Sequence, residues 1–133
     1  MRKFAMATAM LAFAATSVVL TLPAISADAP AVVRKVLLQE DAPGGNTLSM
    51  VQVTIPVGGR EGKHTHPGPL VVHVISGAFS LDYEGKPNIT YKAGEDFYVE
   101  PGHVHEGINR GSVPAVGIAA FVTPKGAPLT KQQ

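Results

Sequence analysis

The chain has 133 residues, 16% of them charged, a formal net charge of +1, five histidines and no cysteine. That length suits one domain, and a near-neutral chain without a basic stripe offers nothing to nucleic acid. The missing cysteine excludes disulfides, thiolate metal ligands, thiol nucleophiles and a lipoprotein anchor.

The first segment reads as a leader. Met1-Arg2-Lys3 is a short basic start, Phe4 to Leu22 carries no charge, Pro23 breaks a helix, and Ala24-Ile25-Ser26-Ala27 offers small residues before Asp28. This is the order of a secretory signal peptide. An uncleaved anchor is the competing reading, but the many Ala, Thr and Ser make the run a weak span. Cleavage is expected after Ala27, giving a signal peptide over 1–27 and one domain over 28–133. The product is then periplasmic or secreted, and meets a membrane only through the leader before cleavage. Losing Arg2 and Lys3 takes the formal charge from +1 to −1. An exported chain without disulfides has to be held by its core, by a metal or by a partner subunit.

The rest reads as strands. Val32 to Leu38 is a first strand, and Asp41-Ala42-Pro43-Gly44-Gly45-Asn46 is a turn cluster. Leu48 to Ile55 alternates and carries β-branched residues, as a strand does. Pro56 to Lys63 is a Gly-rich loop. Leu70 to Ile75 is a short apolar run, Ala78 to Tyr83 alternates cleanly, and Asn88 to Tyr91 and Asp96 to Val99 are further strands. His105 to Asn109 is short, Ala115 to Val122 is the last apolar strand, and Thr123 to Gln133 is a mostly polar tail. No segment after Leu22 keeps a helical period. Turn signals recur about every 8–12 residues, the pattern of an all-β sandwich or barrel. The aromatics Phe79, Tyr83, Tyr91, Phe97, Tyr98 and Phe121 fall on these strands, where core positions are expected.

All five histidines lie between positions 64 and 105. Residues i and i+2 of a strand face the same side, so His64 and His66 aim two imidazoles into one space. Imidazole is the commonest metal-ligating side chain, and His105, from a distant strand, is the obvious third ligand.

At this point the residues resemble the cupin superfamily, in particular its small single-domain, conserved-barrel members. Gly58, His64, His66 and Gly77 fall at the places of the first cupin motif, and Gly94, Gly102, His105 and Asn109 at those of the second. The motif core is 58–109. The resemblance implies an antiparallel jelly-roll β-barrel and a divalent ion, with Fe(II), Zn, Mn, Ni and Cu all open. It also implies a ligand set of three histidines and one glutamate. Here His64, His66 and His105 match the histidines, while Leu70 occupies the glutamate's place and Glu100 that of a proline. A neutral three-histidine set leaves positions open for an anionic or oxygen-bearing substrate, and holds hard ions such as Mn less well.

The remaining candidates carry weaker signals. His103 sits in the Pro101-Gly102 turn, with a role at the mouth or behind the ligands rather than on the ion. Glu61 and Glu100 are the carboxylates able to stand in for the absent glutamate, although solvated loop charges are the ordinary reading of both, as of Glu106. His73 should face outward, Glu106 away from the side of His105, and Asn109 should fix backbone. Leu70 should line the site as an apolar wall, with the three ring nitrogens within roughly 3–4 Å of one another. The functional expectation is a metal cupin that acts on or binds a small molecule, with dioxygenase-like oxidation first and isomerisation next. A non-catalytic ligand- or metal-binding cupin and a degenerate structural barrel are the alternatives. A homodimer is expected, docking through Val32 to Leu38.

Overall fold

The computed structural model describes residues 30–133, so the leader expected over 1–27 lies outside the described residues. Within them the alternating segments become β1 (Val33–Ala42), β2 (Asn46–Ile55), β3 (His64–Thr65), β4 (Leu70–Ser76) and β5 (Ala78–Tyr83). They are followed by β6 (Ile89–Lys92), β7 (Asp96–Val99), β8 (His105–Ile108), β9 (Ala115–Pro124) and β10 (Lys131–Gln132). One sheet has the order β1-β2-β9-β4-β7 and the other β10-β3-β8-β5-β6. Every pairing is antiparallel. This is the all-β jelly-roll barrel that the sequence implies.

Period-two alternation decides what the barrel encloses. In β9 the residues alternate buried and partly open along nearly the whole strand. In β2, Val51, Val53 and Ile55 turn inward, and in β4 Leu70, Val72 and Val74 do the same. With Phe79, Leu81, Phe97 and Phe121 they form the core. Burying side chains of this size is worth about 1.5–3 kcal/mol each, which is how a cysteine-free domain holds together.

Three expectations need correction. β1 runs on to Ala42, because Asp41 and Ala42 pair with Thr47 and Asn46 and leave only the residues between as the turn; a bulge between Val36 and Leu38 absorbs a register shift. The tail is not free: Lys131 and Gln132 pair with Thr65 and His64. That strand is made by tertiary pairing, and two polar residues carry no alternation to reveal it. Pro56 to Lys63 is the expected loop, and it is laced along β8, as described below. Tyr98 is 53% exposed. It neighbours the buried Phe97 in β7, and alternation sends the two rings to opposite faces.

The segment joining β3 to β4 is fixed by a backbone contact. A Cβ on Gly68 would lie 1.8 Å from the Val122 carbonyl oxygen, and the Pro69 carbonyl accepts from Val122 N at 3.2 Å. Neither partner is a flexible side-chain end. Gly68→Ala is therefore expected to cost about 3 kcal/mol, read as a lowered denaturation midpoint. An unchanged midpoint would show that the crossing is not tight.

Candidate metal centre

The histidines are placed by the Gly-rich loop. Gly58 N donates to Asn109 O (3.1 Å), Asn109 N to Gly59 O (3.0 Å) and Glu61 N to Gly107 O (3.0 Å), so residues 58–61 run antiparallel to β8. The track ends with His64 directly opposite His105, and His66 follows two residues later on the same side. The rings meet: centroids are 4.3 Å apart for His64 and His105, 4.8 Å for His64 and His66, and 5.0 Å for His66 and His105. All three side chains are buried, and one ring nitrogen of each lies within 4.8 Å of the others. The spread is wider than the roughly 3–4 Å expected of a closed site.

Hydrogen bonding sets the tautomers. His64 Nδ1 lies 2.8 Å from Gly62 O, His66 Nδ1 2.6 Å from Leu129 O, and His105 Nδ1 3.0 Å from His103 O. A carbonyl only accepts, so each Nδ1 carries the proton and donates it. Nε2 is left with its lone pair on each ring, and among the described residues no Nε2 has a hydrogen-bond partner. This is the arrangement of a ligating histidine, whose other nitrogen is oriented from behind. The donor set fits a divalent ion.

Burial keeps these rings neutral. It lowers the pKa of all three below the ordinary histidine value, and His66 is brought to about 4, against the opposing pull of its bond to the Leu129 carbonyl. The unfolded chain takes up a proton near pH 6.5, and folded His66 only near 4. Its neutral burial therefore favours folding above pH 6.5, and this contribution is lost as the pH falls towards 4, by up to about 3 kcal/mol. Metal-free protein should lose stability across that window, and the His66 ring protons should titrate near pH 4 by NMR. A midpoint near 6.5 would mean that the ring is solvated.

The histidines line a cavity of about 220 Å³ whose walls are mostly apolar, with Val51, Val53, Val72, Phe79, Leu81, Phe97, Ala119 and Phe121 among them. Leu70 is buried and lines the same space, where a carboxylate would otherwise stand. Two charged residues reach the cavity. Glu61 is only 13% exposed, with Oε1 bonded to Arg34 Nη2 at 2.9 Å. Burial pushes its carboxyl up from the ordinary value, opposed by Arg34 and His105. A solvated loop charge is thus the wrong description of Glu61. Gly62, at φ +77°, breaks the alternation and lets residues 61 and 64 share a side. Gly107 leaves the room, since a Cβ there would lie 2.5 Å from Glu61 Oε2. Arg34 was not among the sequence candidates, although it shares strand parity with Val36, which lines the cavity beside it.

The other candidates stand apart from the cavity. The His103 ring is half-exposed and bonds Glu100 at 3.1 Å; it is the His103 carbonyl that serves the centre, by orienting His105. Glu100 is half-exposed, meets the Tyr83 hydroxyl, and does not line the cavity beside Leu70. His73 is exposed and bonds Asp96, as its parity requires. Asn109 bonds Ile55 O and Val113 O and accepts from Gly111 N, which fixes backbone. Glu106 does face away from His105 but is not solvated. It is 2% exposed, bonded twice by Arg60 and once by Gly62 N. The Arg60 bond holds its carboxyl below the ordinary range. Its role is to clasp the loop that carries Gly62 and hence His64.

Such a barrel, with a three-histidine cluster lining a mostly apolar cavity, is a cupin architecture with a metal-capable site. The chain belongs to the cupin family: the cupin-domain family model matches residues 51–121. It is 38% identical over 86 residues to germin-like protein 1-1 of Oryza sativa subsp. japonica, covering 59% of this chain and 40% of that protein. The chain thus spans less than half the length of that curated relative. Among solved structures it is similar to a conserved protein with a double-stranded β-helix domain from Klebsiella pneumoniae (26% identity, TM-score 0.61, 76% of this chain and 85% of that one). It is also similar to a cupin-like protein from Thermotoga maritima (24%, 0.66, 77% and 75%) and to the DMSP lyase DddQ from Ruegeria pomeroyi (18%, 0.66, 77% and 51%). The last two likenesses concern the fold alone.

Proposed function

We propose that residues 28–133 form an exported metal cupin in which His64, His66 and His105 hold one divalent ion through Nε2. The cavity beside them takes a small organic molecule for dioxygenase-like oxidation. The observation that carries this reading is the shared orientation of the three rings, each Nδ1 committed to a backbone carbonyl. A divalent ion such as Fe(II) would supply Lewis acidity and oxygen chemistry there. The chain's own part is to keep three donors neutral, to exclude water with apolar walls, and to leave the side at Leu70 without a competing carboxylate. That same absence favours one second reading, a non-catalytic cupin that binds its ligand without turning it over.

Metal analysis of protein loaded with Fe(II), followed by oxygen uptake with a panel of diketones and catechols, tests the proposal. One equivalent of metal with metal-dependent uptake supports it. One equivalent without uptake favours the binding protein, and no bound metal overturns both.

Export rests on the leader at 1–27. N-terminal sequencing of the exported protein should begin at Asp28 or within two residues of it, whereas intact leader in the membrane fraction would contradict cleavage. Pairing of two copies is supported by an apolar row across the outer face of the first sheet. Leu38 opposes Met50, Met50 opposes Ala120, Ala120 opposes Val71, and Val71 opposes Tyr98. A monomeric mass by light scattering at micromolar concentration would rule this out.

A further inference from the structure

The cavity is apolar except for the histidines, Thr130 and one ion pair. The cation of that pair comes from β1. Arg34 opposes Val53, and Val36 opposes Val51; both partners are inward-facing core residues, so alternation turns Arg34 to the inner face. Its side chain is still 41% exposed, so it stands where the cavity meets solvent. A guanidinium has five N–H donors. Among the described residues only one Arg34 bond is formed, from Nη2 to Glu61 Oε1. Glu61 is itself held by its backbone bond to Gly107 O. The pair therefore works as a mount: Glu61 steadies one edge of the guanidinium, and the remaining donors are available to the cavity. Among the described residues, Arg34 is the only lysine or arginine lining that space. Its charge is close enough to His64 and His66 to be among the causes that lower their pKa.

We propose that Arg34 is the anion-recognition residue of this cavity, and that its ligand is a small organic carboxylate with an apolar body. The carboxylate meets the open edge of the guanidinium, where two parallel N–H bonds suit its geometry. The apolar body lies against the valines and phenylalanines of the wall, and the far end reaches the three histidines. This deepens the proposed function, since it names the substrate class of the same site, but recognition by Arg34 needs no metal and is testable without one.

The test uses metal-free protein and three probes of equal chain length: hexanoate, hexan-1-ol and hexylammonium, with affinities from calorimetry. Hexanoate should bind at least about tenfold more tightly than hexan-1-ol, the difference expected of a charge-assisted pair, and hexylammonium should bind most weakly. Arg34→Gln should abolish the preference for hexanoate and leave hexan-1-ol within about twofold, and Arg34→Lys should retain part of it. Glu61→Gln keeps an oxygen for Arg34 but removes the competing charge, so it should strengthen hexanoate binding. Arg34→Gln should still take up one equivalent of metal, bound no more weakly than by the wild type, because a cation that lowers the pKa of His64 and His66 is removed. Equal binding of the three probes, or a preference that survives Arg34→Gln, would overturn the assignment. Loss of metal binding by the wild type would overturn the proposed function instead, and leave the Arg34 result standing.

Discussion

A His105→Ala variant is expected to lose stoichiometric metal binding, with affinity for Fe(II) or Zn(II) falling by at least about a hundredfold, while the barrel still folds. The loss is large because orienting groups alone are worth roughly 10–100-fold in metal affinity, and this substitution removes a ligand outright. The fold should survive because His105 contributes to the sheets through its backbone, paired with His64 and with Tyr83. Its ring borders an existing cavity rather than plugging a solid core. Competition with a chromophoric chelator measures the affinity, and circular dichroism checks the fold. Unchanged affinity in a folded variant would leave the degenerate-barrel reading in place of a metal centre.

Leu70→Glu should act in the opposite direction. Leu70 begins β4, pairs with Val99 and Phe121, and is buried in the cavity wall. Phe121 packs against His66 at 5.0 Å between centroids, so the substitution places an anionic oxygen beside a neutral donor set. Mn(II), a hard ion, should bind about tenfold more tightly or better, with a smaller gain for softer ions. The metal-free variant should be less stable, because an apolar wall raises a carboxyl's pKa. A raised folded pKa means that this penalty is absent at low pH and grows as the pH rises through the unfolded value. Mn(II) should then restore stability, read as a concentration-dependent rise in melting temperature. Unchanged or weakened Mn(II) binding would show that the ion does not sit near Leu70.

The legible parts of the sequence were those in which local pattern and tertiary structure agree. Clean alternation placed Ala78–Tyr83, and flanking turn residues placed Asp96–Val99, at the ends the structure shows. The His-x-His spacing, together with the cupin motif, led to the three rings that converge. The parts that were not legible depend on contacts distant in the chain. Nothing in Leu129 announces that its carbonyl orients His66 from 63 residues away. The burial of Glu61 depends on the positive φ of Gly62, which reads only as a loop residue, and on the bare Cα of Gly107, which sits inside a short strand. Glu106 is charged and yet buried because Arg60, 46 residues earlier, folds over it. Arg34 was available from parity, but a charge on an apolar first strand reads as an edge or interface residue until the cavity is seen.

The most direct measurement of the central claim is anomalous diffraction from a crystal of the protein loaded with one divalent ion, collected on both sides of that ion's absorption edge. One peak is expected between β3 and β8, bonded to Nε2 of His64, His66 and His105 at about 2.0–2.2 Å, with each Nδ1 still directed at its carbonyl. A peak elsewhere, coordination through Nδ1, or no peak at full loading would contradict it.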